Sequence, residues 1–204
     1  MRKLMSYLSR FRRDERGVLM AETVIMLPLL IWSYLALYVY WDVYSMANRS
    51  QKAAYTISDM ISREMNTTSL TTSYITGMRD LMEYLIGTED TVRIRVSSLT
   101  YSSTKKRYEV DWSVSPGSAF PALTTANLTS ATTDRVPTLA DGDRVMVVET
   151  EVDYSPAFSS VGAVLDVGLD EPITVGLTDT VMKQFIVTRP RFVPKICMTG
   201  FTCS

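Results

Sequence analysis

The sequence predicts an α+β protein: a long N-terminal helix, membrane-embedded in its first half, whose amphipathic outer half packs on an exported antiparallel sheet of about four strands. Three observations carry this. Val18 to Trp41 is a 24-residue apolar run holding one charge, Glu22. Beyond Trp41, apolar residues keep recurring at spacings of three and four. From Thr91 the apolar period drops to two, the pleat of a half-buried strand.

The apolar run is roughly 36 Å long as a helix, against a hydrocarbon core of about 30 Å, so it is long enough to span. Arg2, Lys3, Arg10, Arg12, Arg13 and Arg16 precede it with only Asp14 and Glu15 opposing, whereas Arg49 and Lys52 are the basic residues soon after Trp41. Positive charge is retained on the cytoplasmic side, so the N-terminus is expected there and the rest is expected to be exported. A cleaved secretory signal ending at Ser45-Met46-Ala47 is the competing reading, but its apolar core is about 7 to 15 residues, shorter than this run. Tyr34, Tyr38, Tyr40, Trp41 and Tyr44 cluster at the outer end, where amphipathic rings anchor a helix at the interface.

The outer stripe is Val43, Met46, Ala47, Ala53, Ala54, Ile57, Met60 and Ile61, which extends the helix to about Met65, for a length of about 70 Å. Asn66-Thr67-Thr68-Ser69 should break it, because these side chains compete for backbone hydrogen bonds. A second helix follows, with Ser73 as its cap, Ile75, Met78, Leu81, Met82 and Leu85 as its buried face and Gly87 as its stop. Two strands come next: Val92, Ile94 and Val96 alternate with polar residues in the first, and Tyr108, Val110, Trp112 and Val114 in the second. Each should bury one face and wet the other. Ser115 to Asp143, rich in Pro, Thr, Ser and Ala, reads as a long surface excursion. Asp141-Gly142-Asp143 turns into a third strand, Arg144 to Tyr154, with Met146, Val148, Val152 and Tyr154 on one face. A fourth covers about Asp179 to Arg189, with Phe185 and Val187 alternating with Gln184, Ile186 and Thr188. Pro156 to Gly176 is expected as a loop with a short helical turn. The expected divisions are a leader (1–17), a membrane helix (18–41), an exported helical region (42–88), a β domain (89–196) and a terminal loop (197–204).

Composition excludes much chemistry. The chain has no histidine and two cysteines, Cys197 and Cys203, so histidine triads, histidine-ligated zinc and Cys-x-x-Cys redox motifs are absent. In an oxidising compartment the two cysteines read as a small disulfide loop. The net charge of −1 conceals a split: six basic and two acidic residues put +4 on residues 1–17, leaving −5 elsewhere, which argues against a nucleic-acid partner. Asp166, Asp170 and Glu171 match no calcium-loop spacing. No catalytic group, cofactor or metal is expected.

Glu22 is the anomaly, since a carboxylate in such a run is costly. An acid in the first turn of a helix also has the macrodipole in its favour. Counting from Gly17, which closes the basic leader, Val18 would open a mature chain and Glu22 would be its fifth residue. This arrangement resembles the class III signal of type IV pilins and pseudopilins. Arg12-Arg13-Asp14-Glu15-Arg16-Gly17, Val18-Leu19-Met20-Ala21-Glu22 and Leu27-Pro28-Leu29-Leu30 together look like the start of TadE/TadG-like minor pseudopilins of tight-adherence (Tad) pili. The likeness covers about 35 residues; Ala21-Glu22-Thr23 lacks the Glu-Tyr pair of the major pilin, which points to a minor component.

The resemblance implies a type IV pilin-like fold and cutting between Gly17 and Val18 by a prepilin peptidase. It also implies that Glu22 docks on the freed amine of a neighbouring subunit. Its implied partners are other pilus subunits, the inner-membrane assembly platform and lipid. Its implied location is the bacterial inner membrane, single pass, with a periplasmic C-terminal domain, or the pilus itself after assembly. Pro28 removes a helix hydrogen bond and is expected to kink the helix. The rival functional reading is an uncut single-pass protein that scaffolds an envelope or secretion complex.

Overall fold

A long helix through residues that favour it anchors the computed structural model, which describes residues 16–65, 69–87, 92–118, 120–158, 163–165, 173–175 and 179–202. Helix α1 runs Arg16–Ser62, α2 Thr72–Ile86 and the short α3 Ser130–Thr133. The strands are β1 (Val92–Ser102), β2 (Arg107–Val114), β3 (Arg144–Tyr154), β4 (Ala163–Leu165), β5 (Ile173–Val175) and β6 (Thr180–Thr188). The chain divides into two compact units, Met1–Asp42 with Pro156–Thr178, and Val43–Ser155 with Asp179–Ser204. The α+β class and the long apolar N-terminal helix are as expected from the sequence.

In the first unit, α1 is long and apolar enough to cross a membrane by length and composition. Its apolar side chains are turned outward: Val24, Ile25, Leu30 and Leu37 are all more than 60% exposed. The same unit holds an antiparallel hairpin, β4 with β5, in which Val164 faces Thr174. These two strands lie where a loop was expected between Pro156 and Gly176. Phe158 meets Tyr38 edge-on, with ring centroids 6.0 Å apart.

In the second unit, four strands form one antiparallel sheet in the order β2-β1-β3-β6. One face receives both helices. Met46, Ala53, Ala54, Ile57 and Ile61 of α1 and Ile75, Met78, Met82 and Ile86 of α2 pack on Val92, Ile94, Val96, Trp112, Met146, Val148, Val152 and Ile186. Ala53, Ala54, Ile57 and Ile61 are all buried, so the outer half of α1 gives this core a continuous apolar stripe. On α2 the buried face ends at Ile86, and Leu85, expected inside, is 41% exposed.

The helix ends also differ from expectation. α1 stops at Ser62 rather than near Met65, where the Ser62 carbonyl accepts the Arg191 N–H at 2.9 Å and Asp59 pairs with both Arg63 and Arg191 at 2.8 Å. The N-cap of α2 is Thr71, not Ser73: Thr71 is extended and its hydroxyl accepts the Tyr74 N–H at 3.2 Å. Gly87 stops α2 in the left-handed region at φ 73°, its N–H bonded to Glu83, a conformation that costs a residue with a Cβ about 1 kcal/mol or more.

The larger correction concerns the sheet's second face. Ser98 pairs with Trp112 but Leu99 pairs with Val110, so Asp111 is the extra residue of a β-bulge. The bulge reverses the facing of β2. Trp112 and Val114 join the helix-side core, while Tyr108 and Val110 join Leu99, Val145, Val147, Phe185 and Val187 on the other side. That second core is roofed by Leu128, Val136 and Leu139, so part of the excursion between Ser115 and Asp143 is a packed cover. β6 likewise uses both faces, with Ile186 buried against the helices. The rest of the second face carries cross-strand ion pairs, Arg93 to Asp153 at 2.6 Å and Lys183 to Glu151 at 2.9 Å, each contributing little in water.

The bulged Asp111 has a clear task. Its Oδ2 accepts from Ser98 Oγ at 3.2 Å, Thr100 Oγ1 at 2.5 Å and Arg144 Nε at 3.2 Å. Asp111→Ala removes the acceptor from three half-buried donors, so a loss of about 1–3 kcal/mol is expected. Denaturant unfolding checks this, and a loss below about 0.5 kcal/mol would mean that water replaces the carboxylate at no cost.

Candidate functional site

α1 begins at Arg16, which places Gly17, Val18 and Glu22 in its first two turns. Glu22 stands five positions after Gly17, a rise of about 7.5 Å. The side-chain surroundings of Gly17 and Val18 lie outside the described residues. Glu22 is exposed and, with Thr23, Met26, Leu27 and Leu30, lines a shallow groove along the helix. These are its helical neighbours one, four, five and eight positions on, so the carboxylate heads an apolar stripe. Among the described residues no cation pairs with Glu22. The helix continues unbroken through Pro28, whose ring denies the Val24 carbonyl its usual donor. Farther along, Ser33 Oγ donates to the Leu29 carbonyl at 2.8 Å.

Tyr34, Tyr40, Trp41 and Tyr44 are each more than half exposed and Tyr38 nearly so. Their position at the end of the apolar run suits rings that lie at a membrane interface.

The C-terminal segment is stitched to the second unit. Leu70 N–H donates to the Cys197 carbonyl at 2.7 Å, Thr199 N–H donates back to the Leu70 carbonyl at 2.8 Å, and Trp112 Nε1 donates to the Ile196 carbonyl at 2.8 Å. Cys197 is disulfide-bonded; Cys203 lies outside the described residues, as do Asp166, Asp170 and Glu171. The described residues contain no group of three or more side chains suited to a metal ion.

Sequence reasoning missed the turn joining β1 and β2, a second polar region. There Lys105 Nζ and Arg107 Nη2 both approach Glu109 Oε1, at 2.7 and 3.2 Å. The hydrogen bond from Lys105 holds the Glu109 carboxyl below its ordinary range, with Arg107 adding to the effect. Burial, then the neighbouring Tyr101, push the Tyr108 phenol up. At the far side of this turn the backbone N–H of Ser103 lowers the Asp141 carboxyl. The cue was the run Lys105-Lys106-Arg107 between two strands, each with a tyrosine at its end.

Comparison of the chain with protein-family models, with curated proteins and with solved structures finds no match.

Proposed function

We propose that the chain is a minor pilin or pseudopilin of a tight-adherence pilus, cut after Gly17 by a prepilin peptidase and acting in pilus assembly or initiation, and thereby in surface adhesion. The observation that carries the reading is Glu22: an exposed carboxylate at the head of an apolar helix, five residues after a glycine, with no cation of its own chain paired to it among the described residues. In lipid or in a filament core such a group costs several kcal/mol unless a charge neutralises it. An amine freed at Val18 of an adjacent subunit supplies that charge and fixes the axial offset between the two helices. The basic leader keeps the cutting site on the cytoplasmic side, while the second unit is carried outward. Prepilin peptidase, fellow subunits, the inner-membrane platform and lipid are the partners this role needs.

The test is the N-terminus of the purified chain after co-expression with a prepilin peptidase that demonstrably cuts a control substrate. Sequencing and intact mass should give Val18 as first residue, and Gly17→Trp should leave the full-length chain. An intact Met1 in the unsubstituted protein would sink the proposal and favour the uncut scaffold. Glu22→Gln should be cut normally yet fail to join assembled subunits.

A further inference from the structure

The turn joining β1 and β2 leans over the segment that leaves α3, and between them lies a cleft of about 420 Å³. That is within the range of small-ligand sites, about 300–1,000 Å³. Tyr101, Lys106, Arg107 and Tyr108 line one side, Thr133 and Asp134 the other. The two tyrosines meet edge-on, 5.3 Å between centroids, and the Tyr108 hydroxyl is fixed by donation to the Pro137 carbonyl at 3.1 Å. Its aromatic wall is therefore braced from both sides.

The charges are unevenly used. Lys105 and Arg107 share one oxygen of Glu109, while Lys106, exposed at φ 49°, has no carboxylate partner among the described residues. Asp134 is exposed, and its carboxylate likewise has no partner among them. Among the described residues the lining thus offers an unpaired ammonium, a half-neutralised guanidinium, an unpaired carboxylate, a ring surface and the Thr133 hydroxyl oxygen, whose proton goes to the Ser130 carbonyl.

We infer that this cleft binds an acidic sugar residue of a glycan, with Lys106 and Arg107 taking its carboxylate, Asp134 and Thr133 its hydroxyls, and the Tyr101–Tyr108 pair the apolar face of its ring. The mixture decides the class. A phosphate polymer gains from cations alone and is repelled by Asp134, whereas a polyhydroxylated ring needs acceptors as well as donors. A neutral sugar leaves the cations unused. Charge-assisted bonds to the carboxylate supply the stronger part of the recognition. The inference does not depend on cutting at Gly17.

The probe is a fluorescent oligogalacturonate, titrated by anisotropy against the full chain in a polyoxyethylene detergent, with a galactose oligomer of equal length and polyphosphate as comparisons. Oligogalacturonate should bind most tightly of the three. Lys106→Glu should weaken it by about tenfold, the loss of one charge-assisted contact. Asp134→Ala should also weaken it, by about threefold or more. Both residues are exposed, and an unchanged thermal midpoint confirms that the variants fold. The inference is overturned by no oligogalacturonate binding, by unchanged affinity in Lys106→Glu, or by equal or tighter binding in Asp134→Ala, which marks a purely electrostatic surface. Polyphosphate or the neutral oligomer binding as well as oligogalacturonate overturns it too.

Discussion

Ile57→Ala is expected to destabilise the second unit by about 2–5 kcal/mol. Ile57 is fully buried in the helix-side core, and Ala53 and Ala54 are buried with it. Truncation removes apolar contact and leaves a cavity that the surrounding core fills only in part. The matched control is Tyr55→Ala two residues earlier, whose side chain is 56% exposed; surface changes of that kind cost about 0.5 kcal/mol or less. Denaturant unfolding of the full chain in mild detergent separates the two. Equal losses for both would mean that the outer half of α1 is not seated on the sheet as described.

How much of this was legible in the residues follows from where the chain signals by itself and where it signals only in pairs. The long helix was readable because Val18 to Trp41 is apolar apart from Glu22 and a few small polar residues, and the stripe through Ile57 and Ile61 keeps helical spacing. β3 was readable to the residue because Met146, Val148, Val152 and Tyr154 alternate cleanly. β2 was not. Tyr108, Val110, Trp112 and Val114 alternate just as cleanly, yet they serve two opposite cores. The clue sat in the partner strand, where apolar positions change parity between Val96 and Leu99. Because β2 keeps one parity while β1 changes, the two can pair along their length only if one of them gains a residue, and the gain is Asp111. The cover over the second core was illegible for a related reason: Leu128, Val136 and Leu139 are too widely spaced in the sequence to form any period. The 29 residues from Ser115 to Asp143 read as surface because, among the described ones, most side chains are exposed or half-buried.

The candidate site divides the same way. Glu22 stood out from composition alone, as the sole charge in its run, but the amine proposed to neutralise it belongs to another subunit and leaves no trace in this chain. The cleft beside the β1–β2 turn needs Lys106 and Asp134 to meet across 28 positions of sequence, and neither residue is unusual where it stands.

Trp112→Ala is the second large effect, expected at about 3–5 kcal/mol. Trp112 is 4% exposed and stands just past the bulge, where β2 turns toward the helices. It does two things at once: the ring fills the helix-side core, and its Nε1–H reaches the Ile196 carbonyl at 2.8 Å. Ile196 and Met198 are themselves buried, and Leu70 exchanges hydrogen bonds with Cys197 and Thr199 around them, so the indole pins the terminal strap to the sheet edge. Trp112→Phe separates the two contributions. It keeps most of the apolar contact but strands a buried carbonyl, which costs about 1–3 kcal/mol. The alanine variant should lose more than the phenylalanine variant, and both should raise hydrogen exchange at Leu70 and Thr199, whose amides depend on the strap being in place. If Trp112→Phe unfolds at the same denaturant concentration as the unsubstituted chain with those amides still protected, the strap is held by its own side chains and the indole hydrogen bond contributes nothing to it.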